Sequence, residues 1–256
     1  MAGFSDRAND LVDVALVPHP AVTVIFNLGD EPLVVDDGSG RQQRERVVAG
    51  LAPSGARGQG SAGSFECLQV RLSPVVAHAV LGASSELDGA VVCLDDLWGP
   101  DAVRIQEQLR AAGSWDDRFA IVEAALAPRQ DAGWAVDPEV EFAWRRMAVS
   151  RGWVRVERLA AEVGWSRRRL WSRFRSQVGI TPKRAAGLIR FDYAAHLLAA
   201  GQSAALVAAD SGYADQSHLH REVMAFTGVT PAAVAVTPFL AVDDVAWPFS
   251  GPRSVP

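Results

Sequence analysis

Residues 159–182 read LAAEVGWSRRRLWSRFRSQVGITP, and residues 207–231 read VAADSGYADQSHLHREVMAFTGVTP. Ala160, Gly164 and Trp165 recur 48 positions later as Ala208, Gly212 and Tyr213. Leu170, Gly179, Thr181 and Pro182 recur 49 positions later as Leu219, Gly228, Thr230 and Pro231. A repeat of this length is one supersecondary unit used twice. Each copy opens with a short apolar-periodic helix (Leu159, Ala160, Val163; then Val207, Ala208) that stops at a glycine, where a helix end favours positive φ. A tight turn follows, beginning Trp165-Ser166 or Tyr213-Ala214, and then a second helix. Two helices across a short glycine-containing turn are a helix-turn-helix unit, whose second helix enters the DNA major groove.

Helical periodicity sorts the second helices into faces. In copy one, Leu170, Phe174 and Val178 share one stripe. Arg168, Ser172, Arg175 and Ser176 lie opposite, flanked by Arg169 and Trp171, with Arg167 at the helix start. In copy two the buried stripe is Leu219 and Val223. The outward face is Ser217, His218 and Arg221, with His220 on the flank and Gln216 near the start. Guanidinium and hydroxyl donors in this pattern suit phosphate oxygens and guanine edges. Any amphipathic helix has a solvated charged face, and charge placement argues against that plainer alternative. Between Val163 and Phe191 there are eight basic residues (Arg167, Arg168, Arg169, Arg173, Arg175, Lys183, Arg184, Arg190) and no acidic one. One-sign charge on a folded two-helix unit is the footprint of a polyanion site.

The stretch from about Asp137 to Ala235 resembles the DNA-binding domain of AraC/XylS-type transcriptional regulators. The carrying segments are LAAEVGWS, RRLWSRF, GITPK, RFDYAAHLL, SGYADQSHLHRE and GVTP, in order and at the family's spacing. The resemblance implies that one rigid helix, here Pro182 to about Ala200, joins the two units. It would hold both recognition helices on one face, about one DNA turn apart. The chain departs from the pattern at Arg155, where the family usually has a capping Ser or Thr. An aromatic usual after GxTP is absent around Arg184, Ala185 and Ala186. Val223 and Met224 stand where the family prefers phenylalanine and a basic residue. Unit one is therefore expected to dominate affinity and unit two to refine register.

Charge divides the chain. Residues 137–235 hold 14 basic and 9 acidic side chains, net +5, whereas residues 1–136 hold 10 and 19, net −9. An acidic partner domain does not bind DNA itself and repels phosphates. Cys67 and Cys93 supply neither zinc spacing nor a disulfide framework. The first 30 residues lack a signal-peptide pattern and no apolar run reaches spanning length, so a cytoplasmic, nucleoid-associated home and no membrane partner are expected.

The acidic half reads as strands at Val12–Leu16, Val22–Leu28, Pro32–Val35, Val47–Leu51 and Phe65–Leu72. Pro53–Ser64 is expected as a flexible Gly/Ser-rich loop. Helices are expected at Val75–Leu81, about Pro100–Ala112 and Trp115–Leu126, with Ser114 and Asp117 as a capping pair. Asp137 and Pro138 read as N-cap and first residue of the next helix. The fold class is α+β: a small N-terminal β-sheet or barrel with helices (1–127), a linker (128–136), an all-α C-terminal domain of two helix-turn-helix units (137–236), and a Pro-rich tail (237–256).

The resemblance implies that residues 1–127 sense an effector and form a homodimer contact, and that promoter double-stranded DNA is the main partner. An activator would also touch RNA polymerase. The histidines of this half, His19 and His78, are too far apart for a metal site, and neither metal nor cofactor is expected. An enzyme would need a nucleophile beside a base; Cys67, on a strand, reads instead as a buried small hydrophobe. Phe26 and Phe65 read as core, with a small-molecule pocket as the alternative. The rival to a regulator is an N-terminal enzyme or small-molecule-binding domain using the basic half as a DNA anchor.

Overall fold

The computed structural model describes residues 1–8, 12–15, 17–51, 56–60, 63–82, 87–132 and 134–236. The tail expected at 237–256 lies outside them, as does the side chain of Phe65. The N-terminal half builds two antiparallel sheets. The first has the order β1 (Ala2–Ala8), β8 (Gly63–Leu72), β3 (Val22–Asn27), β6 (Arg46–Ala49), β9 (Val91–Cys93). The second has the order β2 (Val12–Ala15), β7 (Arg57–Gly60), β4 (Val34–Asp36), β5 (Gln42–Arg44).

In the centre of the first sheet, Val24 of β3 sits opposite Val70 of β8 and Val48 of β6. Side chains alternate across a strand, so Val24 and Phe26 join the core beneath the helices while Ile25 faces the second sheet with Val35, Val47 and Cys67. Both faces of β3 are therefore covered, which explains why the consecutive residues Val24, Ile25 and Phe26 are all apolar. Phe26, 1% exposed, fills the core. Burial pushes the Cys67 thiol up to about 12, which suits an inert hydrophobe and not a nucleophile.

The stretch expected as a loop at Pro53–Ser64 instead contributes β7 and the start of β8. Arg57–Gly60 lacks β-branched residues, yet its backbone pairs with β2 on one side and β4 on the other. Long-range pairing overrides weak local preference here.

The helices follow as α1 (Pro74–Leu81), the short α2 (Asp95–Trp98), α3 (Pro100–Ala111) and α4 (Trp115–Ala132). Ser73 caps α1, its Oγ accepting from the Val76 N–H at 3.3 Å. Ser114 and Asp117 form their expected pair at 2.7 Å. α4 does not stop at Leu126 but continues past Pro128 to Ala132, so much of the expected linker is helical. Arg129 secures that end, donating to Asp101 at 2.7 Å and stacking 4.4 Å above Trp98.

The C-terminal half is helical: α5 (Pro138–Val149), α6 (Val156–Glu162), α7 (Arg167–Val178), α8 (Pro182–Ala199), α9 (Ala204–Asp210), α10 (Gln216–Thr227) and α11 (Pro231–Val236). Asp137 stands at the N-cap of α5, but its carboxylate makes no cap bond. Arg173 takes it instead, through Nε at 2.6 Å and Nη2 at 2.7 Å. One continuous core runs from Phe26 and Leu68 through Trp144 and Phe174 to Leu219 and Val223. The halves also meet where His19 Nδ1 lies 3.1 Å from Asp192 of α8.

A buried polar node locks α3 to the sheets. Gln106, 1% exposed, donates to the Asn27 carbonyl at 2.6 Å and to Glu45 at 3.3 Å, and accepts from Arg46. Arg46 in turn grips Asp95 with two bonds, at 2.7 and 2.8 Å. Removing one partner from a buried network leaves the others desolvated and unsatisfied, at a cost of about 1–3 kcal/mol. Gln106→Ala should lower the stability read from urea unfolding by that amount, with an unchanged m-value.

Candidate nucleic-acid interface

Unit one is α6 and α7. α6 starts at Arg155 without a side-chain cap, as the sequence suggests, and the turn passes through Gly164 at φ 68°. Ser166 then caps α7, accepting from the Arg169 N–H at 3.2 Å. Leu170, Phe174 and Val178 are buried, with Phe174 packed 6.4 Å from Trp144. That anchor turns the opposite face outward: Arg167, Arg168, Arg169, Trp171, Ser172, Arg175 and Ser176 are all exposed.

Several of these cations are held in place by neighbours. Arg167 donates to Glu157 at 3.2 Å, Arg169 stacks 4.4 Å above Trp165, and Arg175 lies over Trp171 at 5.4 Å. Arg173 is turned away to Asp137, and that guanidinium keeps the Asp137 carboxyl below the usual carboxylate range.

Unit two is α9 and α10, with Gly212 at φ 72° in the turn. Asp215 caps α10, its Oδ1 accepting from the His218 N–H at 2.7 Å. Sequence reasoning missed this cap, although an Asp directly before the helix was the available signal. Leu219 and Val223 are fully buried, and Gln216, Ser217, His220 and Arg221 are exposed. His218 is half-buried: its ring meets Tyr213 edge-on at 5.2 Å, and Nε2 lies 3.7 Å from Glu222.

α8 carries both units. Thr181 caps it, accepting from the Arg184 N–H at 3.3 Å. At Gly187 a Cβ would lie 2.8 Å from Glu222 Oε1, so α8 and α10 approach too closely for any side chain there without displacing Glu222. Three residues on, Arg190 donates to both Glu222 oxygens, at 2.9 and 2.7 Å, and lies 4.9 Å from the centre of the Tyr213 ring. On the other side Gly152, at φ 77°, abuts the carbonyl of Ala186, and Trp153 rests on Gly212. Arg190 belongs to the basic run, yet the structure uses it as an internal tie. Glu222 was the available signal, the lone acid on an otherwise neutral or basic helix.

Residues 159–235 match the family model described as a helix-turn-helix domain. This segment is an AraC-type helix-turn-helix domain. No curated protein matches the chain by sequence. Among solved structures it is similar to ToxT from Vibrio cholerae, with TM-score 0.51 and 13% identity over 94% of this chain and 97% of that one. ToxT from Vibrio cholerae O395 bound to (E)-4-(8-methylnaphthalen-1-yl)but-3-enoic acid gives TM-score 0.51 and 11% identity over 93% and 97%. The C-terminal domain of AraT, a response regulator from Geobacillus stearothermophilus, gives TM-score 0.37 and 22% identity over 39% of this chain and 85% of that one. The two ToxT likenesses extend the shared fold over both halves, with antiparallel sheets and helices followed by the AraC-type domain. Among the described residues, no helix is long and apolar enough to cross a membrane and no three His, Cys, Asp or Glu side chains gather as a metal site.

Within the AraC-type domain, the Arg190–Glu222 pair holds unit two to α8. Both side chains are mostly buried, at 21% and 15% exposure. Losing one partner of a fully buried pair costs several kcal/mol, so this partly exposed one should cost about 2. Glu222→Ala should therefore lower the melting temperature clearly, and Glu222→Gln, which keeps an acceptor for Arg190, should lower it less.

Proposed function

We propose that this protein is a sequence-specific transcription regulator whose AraC-type domain reads two successive major-groove segments of promoter DNA. α7 enters the first through Arg168 and Ser172, with Arg169 and Trp171 beside them. α10 enters the second through Gln216, Ser217 and Arg221, with His218 and His220 at its edge. The supporting observation is that two reading helices, each exposing donors opposite a buried stripe, are tied to one connecting helix. DNA-reading helices of this class contact bases with their N-terminal residues, and both sets of donors begin in the first turn.

The N-terminal half would carry the signal. ToxT has been crystallised with a naphthalenyl butenoic acid, and a small-molecule effector is the proposal that follows for this chain. The continuous core between the halves gives such a ligand a physical route to unit one. A homodimer contact is proposed on α3 and α4, where Ile105, Ile121 and Ala125 line an open groove. RNA polymerase is the further partner if the regulator activates.

Band shifts and footprints on DNA upstream of its own and neighbouring genes test the reading. An extended protected site is expected, and no protection at low or moderate salt would overturn it. Within a protected site, an Arg–guanine bidentate pair is worth about 1–3 kcal/mol of discrimination. Arg168→Ala should weaken the specific site by that amount and leave random DNA nearly unaffected. Arg175→Ala should weaken both equally, as expected of a phosphate contact.

A further inference from the structure

An open groove of about 1110 Å³ lies between the two units of the AraC-type domain. The start of α6 (Arg155, Glu157), the start of α8 (Lys183, Arg184) and α10 (His218, Arg221) wall it, and Trp153 lies among its lining. We infer that this groove is a phosphate cradle, in which Arg155 and Lys183 hold the DNA backbone running between the two major-groove segments. The inference rests on the regulator reading and adds a contact that the two reading helices do not supply.

Placement is the first support. Glu157 on one rim pairs with Arg167, the first residue of α7. Asp215 on the other rim caps α10. The N-terminal ends of both reading helices therefore open beside this groove. Those ends enter the major groove, so a duplex engaged by both units carries its intervening backbone across it.

Charge is the second. Three carboxylates line the groove and each is already engaged: Glu157 by Arg167, Asp215 by the His218 N–H, and Glu222 by Arg190. The exposed cations Arg155 and Lys183, contributed by different elements, face solvent around them. Cations spread along an open groove suit a strand of phosphates better than one small anion, which needs converging donors. Trp153, 57% exposed, supplies an apolar face of the kind a deoxyribose covers.

The test is the salt dependence of binding by the full chain, followed by fluorescence anisotropy on the protected duplex and a scrambled one. Each phosphate contact contributes about 0.9 to the slope of log K against log salt. The double variant Arg155→Gln, Lys183→Gln should therefore give a slope shallower by about 2 on both duplexes. Between about 50 and 200 mM salt it should lose about tenfold less affinity than the wild type. Both side chains are exposed, so the melting temperature should stay unchanged, and Arg44→Gln on β5, likewise exposed, serves as the charge control with an unaltered slope. An unchanged slope in the double variant, or a loss confined to the protected duplex at unchanged slope, would overturn the cradle while leaving the regulator reading intact. A wild type that binds neither duplex would instead remove both.

Discussion

Close approach to α8 governs the geometry of the C-terminal half. Gly187 leaves no room beside Glu222, and Arg190 then closes on the same carboxylate while lying against Tyr213. These contacts set where α10 sits. On the other side Gly152 abuts α8 at Ala186, so the turn between α5 and α6 is referred to the same helix. A side chain at Gly152 would collide with the Ala186 backbone and shift that turn against α8, whereas one at Gly187 would displace the Glu222 carboxylate that Arg190 holds. Burial beside these groups also pushes the Tyr213 phenol up, which keeps it neutral against α8.

The acidic half braces this frame from behind. α1 packs on α7, and His19 reaches Asp192 of α8. Asp88 also reaches the exposed face of α7, its carboxylate 4.0 Å from Arg175. His78 of α1 sits near the same seam, and burial, then Arg173, hold its imidazole below its ordinary range and favour the neutral form. A displacement of α1 would therefore act on α7 through packed side chains.

The helical half was legible because its information is local and repeated. Gly164 and Gly212 mark turns, and Leu170 with Leu219 marks buried stripes, at a nearly constant offset. Once the stripes are placed, the outward faces follow from helical geometry. Arg173 and Arg190 misled in that reading, since a run of positive charge looks like one surface until folding brings Asp137 and Glu222 to two of its members. The sheets were harder for a related reason. β1 pairs with β8, about 60 residues away, and β7 is Gly-rich, so neither carries a strong local signature. β5 and β9, each three residues long, and the single turn of α2 are too short for periodicity to speak. The fold class of this half was recoverable from its β-branched runs; its strand count was not.

If α8 fixes the two reading helices as one rigid reader, their spacing on DNA cannot adjust. Inserting about 5 base pairs, half a helical turn, between the two halves of the protected site is the decisive test. A rigid reader loses simultaneous engagement, so protection should remain over one half, with an affinity close to that of a single unit. Full protection of both halves at undiminished affinity after the insertion would show that α8 does not hold the two units in fixed register.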